Sequence, residues 1–399
     1  MSEWKEYRLG EVCTELSDGL HKAPNFKKNG DYIFVNAKNI VNGFIIDNDP
    51  TKKSTHEEYL KYASPLNDTS ILYSIDGTIG NIALYRGEKC ILGKGACYMN
   101  PNPQILDRMF LYYELQSPRF KSYIYKMSTG STIKHISLKT MRGYDFSFPS
   151  LERQRRIASI LSSLDDKIAV NRRICENLEA QAQALFKNWF VDFAPFKNGK
   201  FVESELGMIP EGWRVGTLSE VADLVKTSIK PQGNTLYSHY SIPAFDNNQT
   251  PSCDSGESIK SSKFAIQDSV IMLSKLNPEH KRIWFIQNVG SNAVCSTEFL
   301  PFYAKDRGQS VFVYCYLNCP QNYREIANGA KGTTNSHQRL DANAVLTRKL
   351  AYKNDVVTRF SKLVGDFMKQ KDIALQENLR LATLRDTLLP KLMSGEIKI

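Results

Sequence analysis

The chain has 399 residues, enough for two domains of ordinary size, each with its own core. With 42% hydrophobic and 24% charged residues it is composed like a soluble globular protein, and no uninterrupted apolar run reaches the roughly 18 residues a membrane span needs. Its 52 Lys and Arg against 42 Asp and Glu leave a net charge of +10, a balance that favours polyanionic partners such as nucleic acid.

The start, Met-Ser-Glu-Trp-Lys-Glu, has no apolar signal core, and eight scattered cysteines suit a reducing compartment, so a cytoplasmic protein is expected. Residues 1–150 read as a mixed α+β globule. Short β-type runs at 32–35, 43–46, 70–73 and 82–85 are broken by Asn-Gly or Asp-Gly pairs at 29–30, 42–43 and 76–77, where positive φ costs little. A helix is expected near 107–127, with Leu106, Phe110, Tyr113 and Phe120 on one side.

At Pro149 the pattern changes. From Leu151 to Trp189, apolar or small residues stand at 157, 161, 164, 168, 175, 178, 182, 185 and 189, a 4-3 alternation broken only at Asn171. Such a stripe packs along another helix in coiled-coil fashion. These 39 residues would span roughly 58 Å at about 1.5 Å per residue. The central helix is placed at 151–190 and a connector at 191–212.

Residues 213–350 repeat the plan of the first globule, with strands expected at 269–274, 282–287 and 310–317. A second long helix, 351–395, carries Val356, Phe360, Leu363, Phe367, Ala374, Leu381, Leu384 and Leu388 in the same alternation. Gln370 falls in the slot of Asn171, and Pro390 and Gly395 are expected to end the helix. The two stripes are expected to pack on each other antiparallel, with a globule at each end and approximate two-fold symmetry. The alternative is that each helix folds back on its own domain.

The second half re-runs the first. Trp4, Leu9, Glu11 and Val12 are answered by Trp213, Leu218, Glu220 and Val221, and Asp68 through Ser74 by Asp268 through Ser274. Thr129-Gly-Ser-Thr132 with His135 returns as Lys331-Gly-Thr-Thr334 with His337, and Glu176-Asn177-Leu178 as Glu377-Asn378-Leu379. The offset stays between 200 and 209 throughout. Two similar units suggest something read twice.

No chemistry of catalysis stands out. A P-loop, a nucleophile elbow, a dinucleotide fingerprint and an acid-rich nuclease cluster are all absent from the sequence. Cys315 and Cys319 lack a second ligand pair and read as buried structural thiols. What remains are polar and basic loops holding His21, Lys22, Lys38, Asn39, Lys94, Lys134 and His135 in the first half. Lys275, Lys281, Arg282, Lys331, His337 and Arg339 are their counterparts in the second. Lys and Arg serve phosphates and guanine edges, and Asn pairs with adenine. A solvated loop is the competing reading for each.

These residues together resemble the specificity subunits of type I restriction–modification enzymes. Leu206-Gly-Met-Ile-Pro210-Glu-Gly-Trp213 is similar to the opening of the second target-recognition domain there. Asp18-Gly-Leu-His-Lys-Ala-Pro24, Gly130-Ser-Thr132, Ser296-Thr-Glu-Phe-Leu300, Phe148-Pro-Ser-Leu-Glu-Arg-Gln154 with Ile157, and Leu384 through Gly395-Glu-Ile resemble further stretches. The resemblance implies an α+β fold of two target-recognition domains joined by two antiparallel helices. It also implies a non-catalytic subunit that reads a bipartite, asymmetric double-stranded DNA target through the major groove.

Two methyltransferase subunits and helicase–nuclease restriction subunits would be its partners. S-adenosylmethionine, ATP and Mg would reside on those subunits, with no cofactor in this chain. The helix positions expected to serve partner binding are Ile157, Leu161, Leu164, Ile168, Leu178, Leu185, Phe360, Leu363, Phe367, Leu381 and Leu388. The second helix start, Tyr352 through Phe360, departs from the first in lacking its Pro and Glu-x-Gln. Two alternatives stay open: the recognition subunit of a two-subunit system whose partner fuses methylation and cleavage, and a helical protein-binding scaffold.

Overall fold

The computed structural model describes residues 4–48, 51–129, 134–247, 249–330 and 338–399. The chain divides into two compact units, Met1–Ala169 with Asn378–Ile399, and Val170–Glu377. Both are α+β, as expected, and each takes one stretch of each long helix.

In the first unit the strands are β1 (Cys13–Asp18), β2 (Tyr32–Val35), β3 (Ile71–Ser74), β4 (Ile82–Leu84), β5 (Cys90–Leu92) and β6 (Ala96–Pro101). The main sheet runs β1-β6-β3-β4, all antiparallel, with Met99 opposite Ile71 and Ile71 opposite Leu84. All four residues of β3 are buried, because both of its faces are covered. A smaller sheet pairs β2 with β5 in parallel.

The single helix expected at 107–127 is two, α1 (Arg108–Glu114) and α2 (Pro118–Met127). Pro118 has no N–H to donate and crowds the preceding turn, so the helix must restart there. Ser117 caps the new start by accepting from the Phe120 N–H at 3.1 Å. The first long helix, α3, runs Leu151–Phe190.

The second unit repeats this topology with β7 (Ala222–Leu224), β8 (Leu236–Tyr240), β9 (Val270–Ser274), β10 (Ile283–Ile286), β11 (Ala293–Ser296) and β12 (Phe299–Ala304). Its main sheet has the order β7-β12-β9-β10, and β8 pairs with β11 in parallel as β2 does with β5. The helices are α4 (Ser310–Asn318), α5 (Pro320–Asn328) and α6 (Asn354–Met393).

The strand expected at 310–317 is therefore wrong: the segment is α4. All of its nine residues are buried, so it shows no amphipathic period, and its aromatic and β-branched composition mimics a buried strand.

Each unit packs its own parts of the two long helices antiparallel. In the first, Ile157, Ala158 and Leu161 of α3 share a core with Leu389, Leu392 and Met393 of α6. In the second, Ala182, Phe186 and Phe190 pack with Val357, Phe360, Val364 and Met368. The expected seam needs correction on α6. Leu363 and Leu384 are 45% and 46% exposed, and Gln370 is exposed; the covered stripe is 357, 360, 364 and 368. That spacing follows the helix's own 3.6-residue period against a globule, not a strict heptad against one helix.

Pro390 does not end α6, which continues to Met393. Gly395 ends it with φ +76°, and a Cβ there would lie 2.8 Å from the Trp4 ring. No helix among the described residues is long and apolar enough to cross a membrane.

Candidate nucleic-acid interface

The loops after β1, β3, β5 and α2 meet at one end of the first unit's main sheet. Leu20 N–H donates to the Leu92 carbonyl at 2.7 Å, and Lys94 N–H returns to Leu20 at 3.1 Å. Gly19 must be glycine, since a Cβ would sit 2.3 Å from the Leu92 backbone. Ile75 N–H donates to Gly95, Ile136 N–H to Ile75, and Gly77 N–H to Lys134. His135 and Thr129 exchange backbone hydrogen bonds of 2.9 and 3.1 Å.

This ladder brings His21, Lys22, Lys94, Lys134 and His135 into one loop cluster, all exposed. Asn36 joins it, because a Cβ on Gly93 would lie 2.5 Å from Asn36 Oδ1; Lys38 follows two residues on, also exposed. Two carboxylates sit among the cations: Asp18 Oδ2 lies 2.7 Å from His21 Nε2, and Asp76 lies 3.7 Å from Lys94 Nζ.

The second unit builds the same ladder. Lys275 N–H donates to Glu298, Leu340 N–H to Lys275, and Asn277 N–H to Gln338, while Leu276 bridges Arg339. The bonding thus equates Lys134 with Gln338 and His135 with Arg339. The sequence pairing of His135 with His337 is two residues out of step, because the Gly-Thr-Thr likeness anchored it in the wrong frame. Lys331 and His337 themselves lie outside the described residues.

Side chains differ where backbones agree. Asp76 on the first ladder corresponds to Leu276, and Gly95 to Glu298, which pairs with Arg339 at 3.1 Å.

Three residues expected at DNA have work inside the chain. Asn39 is 5% exposed; it donates to the Ile46 carbonyl at 3.1 Å and Thr51 Oγ1 at 2.9 Å, and accepts from the Asn36 N–H at 3.0 Å. Arg282 holds Asp246 through two bonds of 2.7 and 2.9 Å. Lys281 Nζ donates to the Asn318 carbonyl at 2.5 Å over the Tyr323 ring, and burial lowers its pKa. Each is a loop anchor, which periodicity and composition cannot distinguish from a reader.

A further basic lobe was not anticipated. Phe26 bridges Ser54, which places Lys27 and Lys28 beside Lys52, whose Nζ lies 4.8 Å over the Phe26 ring. All three lysines are exposed, whereas Lys53 is taken by Asp47 at 2.6 Å. The Lys-Lys pairs were visible in the sequence, but the strand pairing that joins them was not.

The expected partner-binding positions also need revision. Ile157, Leu161, Ile168, Leu178 and Phe360 are each at most 8% exposed, covered by their own unit. Leu164, Leu185, Phe367, Leu381 and Leu388 are half-buried, and Leu363 faces solvent. A partner would meet the outer faces of these helices, where Ile160, Val170, Ile174 and Ile373 stand between 37% and 67% exposed.

Among the described residues no group of three or more His, Cys, Asp or Glu could hold a metal ion. Cys315 and Cys319 are buried at 0% and 3% exposure, and burial pushes the Cys315 thiol well up, away from the reactive thiolate.

Residues 1–180 match the family described as the type I restriction modification DNA specificity domain. Fold and match together define a class: proteins built from duplicated α+β units that carry DNA specificity domains. Along its whole length the chain is 26% identical to the MjaIX specificity subunit of Methanocaldococcus jannaschii, covering 94% of that protein. It is 22% identical to the HindI specificity subunit of Haemophilus influenzae, with both chains covered completely. The crystal structure of the type I S subunit from M. genitalium shares the fold, with a TM-score of 0.55 at 18% identity over 98% of this chain and 96% of that one. The chain belongs to the specificity subunits of type I restriction–modification enzymes.

Proposed function

We propose that each unit reads one half of a bipartite, asymmetric duplex target through its loop cluster, and that the long helices position methyltransferase and restriction subunits on it. The observation that carries this reading is the shared ladder with exchanged side chains. Lys134, His135 and Asp76 stand where Gln338, Arg339 and Leu276 stand in the second unit. One scaffold with two different sets of donors and acceptors suits two different half-sites.

The chain performs no covalent step in this reading. S-adenosylmethionine, ATP and Mg belong to the partner subunits. The contact set is His21, Lys22, Lys38, Lys94, Lys134 and His135 in the first unit, and Lys275 and Arg339 in the second. Lys27, Lys28 and Lys52 add phosphate contacts.

The test is methylome sequencing of a host expressing this chain with its methyltransferase, followed by binding of the assembled complex to the motif found. Preference for the motif over a scrambled duplex is expected; equal binding to both sinks the reading and favours a protein scaffold. Neighbouring genes for a separate methylase and a separate helicase–nuclease distinguish it from a two-subunit system.

A further inference from the structure

Helix α2 is amphipathic, burying Phe120 and Ile124, yet its last turn sends Tyr125 outward. That ring is 73% exposed and belongs to neither hydrophobic cluster of its unit. A tyrosine left in water forgoes the burial that normally places it. Its position is nonetheless fixed: Ser128 Oγ donates to its carbonyl at 2.9 Å, and Lys134 Nζ lies 4.6 Å over its ring. Lys134 is in turn held by the ladder, its carbonyl accepting from Gly77 N–H at 3.2 Å. The pair therefore sits on the edge of the loop cluster, with an exposed ring and an ammonium side by side.

The second unit lacks both members. Counted from the proline that opens each helix, Tyr125 and Ala327 are both eighth, with the buried Ile124 and Ile326 just before them. The ladder equates Lys134 with Gln338. A surface tyrosine of no purpose would vary independently of a loop residue nine positions on, whereas here ring and cation are present together or absent together.

We propose that Tyr125 and Lys134 form a nucleotide-contact pair that serves only the first half-site. Lys134 takes a backbone phosphate of the duplex, and the Tyr125 ring packs on the nucleotide that carries it. Aromatic rings accept any nucleotide face, so the pair supplies affinity and orientation while neighbouring side chains read the base edges. The proposal rests on the two-half-site reading given above.

The test uses the assembled methyltransferase complex and three duplexes: the methylated motif, the same with its first half scrambled, and the same with its second half scrambled. Tyr125→Ala should weaken binding to the intact motif by roughly tenfold, the scale of one lost aromatic–nucleotide contact. Tyr125→Phe should keep most of the affinity. Lys134→Gln should lower the slope of log affinity against log salt by about one, a change Tyr125→Ala should not produce.

The Tyr125→Ala penalty should vanish when the half-site read by the first unit is scrambled and persist when the other is. If wild type prefers the intact motif while Tyr125→Ala binds it within twofold of wild type, the pair has no such role. A penalty that follows the other half-site overturns it equally. If wild type itself shows no preference, the two-half-site reading has failed instead. The exposed ring predicts an unchanged melting temperature; should Tyr125→Ala not assemble, Tyr125→Leu makes the same comparison.

Discussion

Asn171 on α3 donates its side-chain amide to the Glu377 carboxylate on α6 at 2.7 Å, and at 1% exposure it is the polar break in an otherwise apolar or small stripe. Cys175, Leu178 and Ala182 continue that stripe. A buried amide costs stability unless it is bonded, so this contact holds only in the register where Glu377 stands opposite. Two neighbouring contacts agree with that register: Cys175 Sγ donates to the Lys371 carbonyl at 3.6 Å, and Lys371 Nζ meets Glu179 at 2.6 Å. Removing one partner should hurt more than removing both. Glu377→Ala is expected to cost about 1–3 kcal/mol by orphaning the amide, and adding Asn171→Leu to it should recover part of that loss. Chemical denaturation of the three variants measures this, and a double variant less stable than Glu377→Ala would refute it.

Gln154 is the corresponding anchor in the first unit. At 0% exposure it accepts from Asp107 N–H at 2.8 Å and donates to the carbonyls of Ile105 and Pro149 at 3.0 and 2.9 Å. It thereby ties the start of α3 to the loop before α1. The equivalent fourth residue of α6 is Val357, also 0% exposed, so the second helix start is held by packing alone. Gln154→Val should destabilise the protein by about 1–3 kcal/mol for each buried group left unpaired, whereas Val357→Ala should cost about 1–2 kcal/mol for its lost methyls and the space they leave. Thermal melts that rank the two in the opposite order would show that the hydrogen bonds add nothing net.

Much of this fold was legible because its signals are local or repeated. The starts of the units match at Leu9 and Leu218, each buried and each donating its N–H across the unit, to Tyr144 and Arg348. The long stripes announced paired helices. What was not legible depends on the third dimension. The α4 segment hides its helix by being buried all round, and Arg282 looks like a reader until Asp246 is seen beside it. His135 finds its true counterpart, Arg339, only through backbone bonds that join distant loops. Tyr125 gave no signal at all, since one aromatic in an amphipathic helix is usually core.

The division of lysines into readers and anchors is measurable. Lys22, Lys38, Lys94, Lys134 and Lys275 reach solvent wholly or in part, whereas Lys281 is bonded to Asn318 inside its unit. Alanine at each of the first five should reduce the salt slope of DNA binding by up to about one and leave the melting temperature near wild type. Lys281→Ala should do the reverse, lowering the melting temperature while leaving the slope intact. A slope change for Lys281→Ala as large as that for Lys134→Ala would return Lys281 to the interface.

An acid-side loss of stability is expected in the second unit. Burial alone would raise the Asp254 carboxyl, but donation from His239 Nδ1 at 2.7 Å and Ser252 Oγ at 2.8 Å outweighs it and holds the group below its ordinary 3.8. A carboxyl depressed in the folded state contributes stability above its unfolded value and loses that contribution as pH falls through the folded one. The gap in melting temperature between wild type and Asp254→Asn should therefore narrow on the acid side of about pH 4. A gap constant from neutral pH downward would mean that Asp254 contributes no pH-dependent stability.

The length of the helix pair offers the most direct test of function. If α3 and α6 set the gap between half-sites, one heptad added to each, after Ala169 and after Glu377, keeps the packed stripe in phase, since seven residues nearly complete two turns. The pair then grows by about 10 Å at about 1.5 Å per residue, or about three base pairs at about 3.4 Å each. Adding the heptad to α3 alone would instead break the Asn171–Glu377 register and should yield unstable protein. Methylome sequencing of cells carrying the doubly extended chain should find both half-sites unchanged and the gap between them wider by about three base pairs. The same two half-sites at the original gap would show that the helices do not measure the target, and that spacing is set elsewhere in the assembled enzyme.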